Sequence, residues 1–291
     1  AIMAASKTYA EQQNIKYAQK INELLKIFPE FCREYFNSLE YSKQPRTRLA
    51  YARDLKTFFE FLIAEFPQYS NYQISDFTLH DIESVTGQDI SDYLRYMKVY
   101  DKDGTTVTND ERAAKRKLCS LRRFYGYYYR YELISNNPSL KVDMPKIHDK
   151  AITRLDVNEV AELLDNVENG NKLTTAQLRT HEKLKCRDLA LLTLLLGTGI
   201  RVSECVGLDI NDVDFDNDRI KVVRKGGSES FVYFGDEVRA ALLDYMEERK
   251  QMNPDSGHEN ALFISSKNKR LCVRSVELLV KKYASTVTTV K

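Results

Sequence analysis

The stretch that decides the fold is Gly197-Thr198-Gly199-Ile200-Arg201-Val202-Ser203-Glu204, which follows a strongly apolar run from Leu184 to Leu196. Hydrophobic residues occur on every face of that run, which predicts a buried helix. We expect the two glycines to break the helix and to let the backbone turn sharply toward another group. Arg201, with Glu204 three residues later, admits two interpretations. It is either a structural ion pair behind a helix C-cap or a functional arginine held in one place.

Length and composition predict a soluble globular protein. The 291 residues are 43% hydrophobic and 30% charged, with a net charge of +2, and this balance is typical of globular chains. A chain of this length accommodates two ordinary domains, each with its own core. No apolar run reaches membrane-spanning length, and no signal peptide is recognisable. We therefore expect no membrane partner.

Cysteine and histidine usage argues against a metal site. The five cysteines are odd in number and widely spread, with no C-x-x-C pair. This pattern predicts free thiols in a reducing cytoplasm rather than a zinc ribbon or a disulfide framework. The four histidines are isolated, and none has a second ligand at metal-site spacing. We expect a cytoplasmic protein with no metal ion and no cofactor.

Apolar periodicity predicts that the first half of the chain is helical. One long helix is predicted from Thr47 to Phe66, and another from about Thr108 to Tyr131. A third helix, from Thr86 to Tyr100, precedes a turn. We therefore predict a helical first domain, residues 1–140.

A linker is predicted at residues 141–153, because this segment has no periodicity and contains a proline and alternating charges. The second domain is then residues 154–291. Beyond Leu208 it contains short strand patterns, and the two flanking Arg224–Ser228 predict a hairpin. Helices are predicted at 236–250 and 273–283. The predicted fold class is mainly α, in two domains, the second carrying a small antiparallel β-sheet.

Cationic side chains crowd the two long helices of the first half. On the earlier helix they oppose the helix dipole, and on the later one like charges at helical spacing repel each other. Phosphates lying opposite would offset both costs, and a solvated charged face is the alternative interpretation. The candidate DNA-binding residues are Arg46, Thr47, Arg48, Arg53, Lys56, Lys115, Arg116, Arg122 and Arg123.

Taken together, these features resemble the tyrosine recombinases of the phage integrase family, especially the Xer-like and transposon-integrase branches. The most specific resemblance is the G-T-G-I-R-V-S-E-C-V-G-L stretch at 197–208, followed by R-K-G-G at 224–227. Thr47–Leu55 resembles the opening of the family's helical core-DNA-binding domain. Lys117–Tyr125, followed by Asn137-Pro138, resembles its last helix and exit. The resemblance extends from about Ala10 over nearly all of the chain.

The resemblance implies site-specific DNA recombination or integration. In this family a tyrosine cleaves one DNA strand and forms a 3′-phosphotyrosine, without metal or nucleotide. Arg201 would then stabilise negative charge on the phosphoryl oxygens, and Lys225 would protonate the leaving 5′ oxygen as general acid. Glu204 would orient its neighbours. The implied partner is double-stranded DNA with inverted half-sites, bound by a dimer at each site and by a tetramer in synapsis.

The chain departs from the family pattern near its end. The family has an H-x-x-R motif and then the nucleophilic tyrosine, yet none of the four histidines is followed by arginine three residues later. Tyr283 is the last tyrosine and is interpreted as a packing residue. We expect a C-terminally truncated recombinase that binds DNA without cleaving it. The alternatives are a non-catalytic DNA-binding regulator that kept the fold and a helical protein-interaction scaffold.

Overall fold

A computed structural model describes residues 7–102, 104–148, 154–224 and 226–287. The chain divides into two compact units. The first is Glu11–Lys150, and the second joins Ala1–Ala10 to Ala151–Lys291. Within the described ranges, no helix combines the length and apolar character needed to span a membrane.

The first unit is mainly helical. Its helices are α1 (Tyr9–Leu25, whose first two residues belong to the second unit), α2 (Glu30–Ser38), α3 (Pro45–Glu65), α4 (Leu79–Ser84), α5 (Gly87–Tyr96) and α6 (Glu111–Arg130). Short 3-10 helices lie at Pro67–Tyr69, Ile74–Asp76 and Pro138–Lys141.

The helix predicted from Thr86 to Tyr100 ends early. It stops at Tyr96, and β1 (Val99–Lys102) then pairs antiparallel with β2 (Thr105–Thr108). The second strand consists of β-branched residues, which favour extended backbone. The prediction of a helix through Tyr100 was therefore wrong, and helix α6 begins only after this hairpin.

The core of the first unit is aromatic. Phe58 of α3 and Phe124, Tyr125 and Tyr128 of α6 are fully buried. Rings of this core meet edge to face, as those of Tyr35 of α2 and Phe124 do at 5.3 Å and 89°, which is a preferred aromatic geometry. These α6 aromatics therefore pack the core of the unit.

The second unit surrounds a separate core. Its helices are α7 (Val157–Asn169), α8 (Thr175–Thr198), α9 (Val202–Gly207), α10 (Asp236–Lys250) and α11 (Val273–Ala284), with a 3-10 helix at Ile210–Asp212. Its sheet is antiparallel, in the order β3 (Val213–Asp214), β4 (Arg219–Val223) and β5 (Glu229–Tyr233). Ile220 pairs with Val232, and Ile220 and Val222 bury their side chains against the helices. The predicted fold class, mainly α with a small antiparallel sheet, is confirmed.

The two glycines after the apolar run do different work. Gly197 lies inside α8, so the prediction that it breaks the helix was wrong. A Cβ on Gly197 would lie 2.6 Å from Val238 Cγ2 of α10, so the missing side chain allows α10 to pack closely. Gly199 ends the helix in the left-handed conformation, with φ 64°, which glycine adopts without strain.

The first described residues of the predicted linker pack on the first unit. Val142 is buried in that unit's core. Arg122 of α6 donates hydrogen bonds to the carbonyl oxygens of Ser139, at 3.3 Å, and Val142, at 2.7 Å. Residues 149–153 of the predicted linker lie outside the described residues.

Candidate functional site

Arg201 stands at the sharp turn between α8 and α9. Its backbone N–H donates to Glu204 Oε2 at 2.9 Å, and its Nη1 donates to Glu204 Oε1 at 2.8 Å. The Glu204 side chain is only 4% exposed, whereas that of Arg201 is 66% exposed. The buried Glu204 carboxylate therefore holds one end of the guanidinium, while the other N–H groups of Arg201 face solvent.

A second arginine shares the same carboxylate. Arg224, which directly follows β4, donates from Nη1 to Glu204 Oε2 at 3.0 Å. Its Nε donates to Ser230 Oγ of β5 at 2.9 Å. The family resemblance implied roles for Arg201 and Lys225 but none for Arg224. The sequence indicated Arg224 only through its place in the R-K-G-G motif.

The ionisation of Glu204 reflects this pairing. Burial acts to raise the pKa of Glu204, but the hydrogen bonds from Arg201 and the positive charges of Arg224 and Arg201 outweigh it. The net result is a pKa below the usual range of a glutamate. The cluster therefore holds one carboxylate and two guanidinium groups, and it carries an excess positive charge that suits an anion.

The predicted general acid, Lys225, lies outside the described residues. Its described neighbours form the hairpin turn, in which the Arg224 N–H donates to the Ser228 carbonyl at 2.7 Å. Gly226 and Gly227 have positive φ values of 104° and 93°. The structure thus anchors the base of the hairpin beside Arg201 through Arg224.

The first unit presents a separate set of cations. Arg46 and Arg53 are exposed, and they lie seven residues apart, on one face of α3. Arg123 of α6 is also exposed, and Lys115 is partly exposed. In the described part of the chain, none of the four has a carboxylate within ion-pair distance.

Other predicted DNA-binding residues contact protein groups. Asp54 of α3, only 3% exposed, pairs with Arg116 and, at 3.3 Å, with Lys117. Arg116 nevertheless remains 47% exposed, and its ion pair places the start of α6 next to the residue that follows Arg53. Thr47, which was also predicted to bind DNA, lies in the first turn of α3 and is partly exposed.

Three further cations in this set have protein partners. The Arg48 side chain is only 10% exposed and lies 3.7 Å from Glu40. Lys56 pairs with Glu60 at 3.4 Å on the same helix. The two carbonyl contacts described above occupy Arg122. Arg48 and Arg122 thus have structural contacts that their sequence patterns did not reveal.

Tyr283 is a buried packing residue, as its helix position predicted. Its ring is fully buried, and its hydroxyl donates to Asp188 Oδ2 at 3.1 Å. Arg187 Nε donates to the other oxygen of Asp188 at 3.0 Å. Burial and the Asp188 charge raise the pKa of Tyr283, so the phenol stays protonated. Lys282 Nζ donates to the same hydroxyl at 2.9 Å, so the described contacts of the phenol oxygen are with protein groups.

The residues that could bind metal are dispersed. Among the described residues, no group of three or more histidine, cysteine, aspartate or glutamate side chains could hold a metal ion. The cysteines are all free thiols.

Comparison with known proteins gives consistent matches. Residues 153–290 match the phage integrase family. Tyrosine recombinase XerC of Caldanaerobacter subterraneus subsp. tengcongensis is 32% identical over 266 residues, covering 88% of this chain and 68% of the relative. XerC of Leptospira interrogans serogroup Icterohaemorrhagiae serovar copenhageni is 30% identical over 264 residues, covering 87% and 75%.

Solved structures share the fold. The Tn1549 transposon integrase in complex with circular intermediate DNA has a TM-score of 0.58 at 20% identity, covering 88% of this chain and 78% of that one. A lambda integrase dimer bound to a COC′ core site has a TM-score of 0.57 at 14% identity, covering 88% and 80%. The sequence matches show that the chain belongs to the phage integrase family of tyrosine recombinases.

Proposed function

We propose that the protein is a site-specific recombinase whose Arg201 site binds the phosphate of a DNA strand to be cut. The observation that carries this proposal is the exposed Arg201 guanidinium, which forms an ion pair with the buried Glu204 carboxylate. Two relatives, of which this chain covers 68% and 75%, are named tyrosine recombinase XerC. Structural neighbours were solved with DNA, which supports DNA as the partner.

The chemistry of Arg201 suits phosphoryl transfer. An arginine is permanently charged and offers paired N–H donors that match two phosphate oxygens. Because Glu204 fixes one side of the group before any ligand arrives, little reorganisation is needed when negative charge builds up on the phosphate. Lys225 is proposed, from its place in the hairpin motif, to protonate the leaving 5′ oxygen.

The first unit is proposed to hold the duplex through its phosphates. The proposed contacts are Arg46, Arg53, Lys115 and Arg123, whose charges have no described carboxylate partner. Arg116, Lys56 and Thr47 lie on the same two helices and are at least partly exposed. We leave Arg48 and Arg122 out of the interface because protein groups already occupy their side chains.

We further propose that the 291-residue polypeptide binds DNA without cutting it. Its sequence contains no H-x-x-R motif, and Tyr283 is buried against Asp188. On DNA, protomers are proposed to bind inverted half-sites in pairs and to form a tetramer when two sites meet. A regulator without catalytic activity would also bind DNA without cutting it.

Selection from a randomised duplex pool tests the proposal. The chain is expected to enrich duplexes carrying inverted repeats, and the Arg46→Glu/Arg53→Glu variant is expected to enrich none. The matched control, Arg95→Glu, reverses an exposed arginine that pairs with Asp92 on α5, and it should select the same repeats. Enrichment of no duplex by the wild-type chain would refute the proposal.

The selected duplex then tests the absence of cleavage. A version with a nick beside the presumed cleavage position traps covalent protein–DNA adducts, because the short cut fragment diffuses away. We expect no adduct on a denaturing gel. An adduct that persists in Tyr283→Phe would reveal a different tyrosine as nucleophile.

A further inference from the structure

Arg224 connects the hairpin to the Arg201 site through one carboxylate. Glu204 Oε2 accepts from both the Arg201 backbone N–H, at 2.9 Å, and Arg224 Nη1, at 3.0 Å. Glu204 Oε1 accepts from Arg201 Nη1 at 2.8 Å. The glutamate is therefore held from two directions, by the residue that begins α9 and by the residue that follows β4.

The other end of Arg224 is fixed to the hairpin itself. Its Nε donates to Ser230 Oγ across the hairpin at 2.9 Å, and its backbone N–H donates to the Ser228 carbonyl at 2.7 Å. The guanidinium is planar and rigid, so donors at Nε and Nη1 keep a fixed separation. Arg224 thus acts as a strut of set length between β5 and Glu204.

Arg224 also changes the net charge around Glu204. With Arg201 as its only cation, the Glu204 carboxylate would offset the charge of Arg201 almost completely. A second guanidinium on the same carboxylate leaves an excess positive charge, and Arg201 is the more exposed of the two arginines, at 66% against 35%. The excess charge is therefore available to an anion that approaches Arg201.

We propose that Arg224 is a positioning residue that holds Glu204 in place and thereby orients Arg201 toward a DNA phosphate. Arg224 reaches the phosphate only through Glu204 and Arg201. This inference rests on the proposed function, and it adds to that function a residue that the motif comparison did not assign.

The decisive measurement is the titration of Glu204 in the free protein, followed by the carbon signal of its labelled carboxyl group. The Glu204→Gln variant identifies the signal, because the signal disappears in that variant. In Arg224→Gln the titration midpoint should move upward, since a cation is lost from the carboxylate. Arg224→Lys should restore the midpoint toward the wild-type value.

Arg219→Gln is the matched control. Arg219 lies on β4, is 29% exposed and pairs with Asp214 at 2.8 Å, so the substitution removes the same charge from the strand that Arg224 follows. It should leave the Glu204 midpoint unchanged. An unchanged midpoint in Arg224→Gln, or an equal shift in Arg219→Gln, would overturn the inference.

Binding of the selected duplex supplies the second measurement. Arg224→Gln should weaken the affinity about tenfold, because it removes the excess positive charge beside Arg201 and one of the contacts that hold Glu204. Arg219→Gln should weaken it less than about threefold. Arg224→Lys keeps the charge but not the two-ended contact, so we expect an intermediate affinity. Equal losses in Arg224→Gln and Arg219→Gln would contradict a positioning role.

Two outcomes must be kept apart. If the wild-type chain binds no duplex, the proposed function fails, while the carboxyl titration still decides whether Arg224 holds Glu204. If Arg224→Gln does not fold, Ser230→Ala replaces it in the test, because it removes the hairpin partner of the Arg224 side chain and leaves the backbone bond to Ser228 in place. The Glu204 midpoint should then rise by a smaller amount, and an unchanged midpoint would overturn the inference.

Discussion

Gly197 of α8 and Val238 of α10 pack so closely that a Cβ on Gly197 would lie 2.6 Å from Val238 Cγ2. Helix α8 carries the turn that positions Arg201, so this contact helps to fix the site through the backbone. The glycine is needed for helix packing, whereas the left-handed Gly199 makes the turn.

Replacing Gly197 by alanine should therefore destabilise the protein. The added methyl group must displace Val238 or the α10 backbone, and overpacking of this kind costs about 1–3 kcal/mol. Gly126 provides the control, because it is also helical but has open space around its Cβ position. Gly126→Ala should stabilise the protein by about 0.5–1 kcal/mol. Urea denaturation measures both effects, and equal signs would contradict this explanation.

Asp54 is predicted to be essential for joining α3 to α6. It is buried and pairs with Arg116 and Lys117, so Asp54→Asn leaves two cations facing a neutral amide. Breaking a buried ion pair costs about 3 kcal/mol or more. The comparison variant is Asp92→Asn, which removes an exposed partner of Arg95 and should cost less than about 1 kcal/mol. Similar losses in the two variants would show that the Asp54 cluster contributes little.

The pH dependence of stability should contain a contribution from Glu204. Its pKa is lower in the folded protein than the ordinary 4.5. A lowered folded pKa means that the contribution is fully present above pH 4.5 and is lost as the pH falls below that value. The difference in unfolding free energy between wild type and Glu204→Gln should therefore shrink on acidification below pH 4.5. A difference that grows there would mean that the folded pKa is raised.

Tyr283 should prove structural rather than nucleophilic. Removal of its hydroxyl in Tyr283→Phe takes one donor from the buried Asp188, and hydrogen bonds to charged groups contribute about 1.5–3 kcal/mol. The variant should lose stability on that scale while its affinity for duplex DNA stays within about twofold of wild type. Thermal denaturation and fluorescence anisotropy measure the two quantities. A stability equal to wild type would mean that the Asp188 contact is weak.

Local patterns predicted much of the fold. Helix α10 was predicted at its observed limits, Asp236–Lys250, because its apolar period and its charged ends agree. The hairpin around Arg224–Ser228 was likewise recognisable from its strands and glycines. The β1–β2 hairpin was missed, because its strands have four residues each and follow directly on a helical pattern.

The candidate site was predictable only where its residues are close in sequence. Arg201 and Glu204 are three residues apart, and their spacing suggested an ion pair that the structure contains. Arg224 joins the same carboxylate from 20 residues away, and no local periodicity connects residues at that separation. Asp54 and Arg116 are 62 residues apart in the sequence. That Arg116 already has a carboxylate partner is therefore visible only in the folded unit.

The salt dependence of duplex binding, measured by fluorescence anisotropy, tests whether the cations of α3 and α6 hold DNA through its phosphates. If cations on α3 and α6 contact phosphates, the logarithm of the affinity should fall linearly with the logarithm of the salt concentration, by about 0.9 per contact. Arg53→Gln/Lys115→Gln should reduce that slope by about 2, while Arg219→Gln/Lys250→Gln should leave it unchanged. Equal slopes in all three proteins, or no binding at low salt, would show that these cations do not contact DNA phosphates.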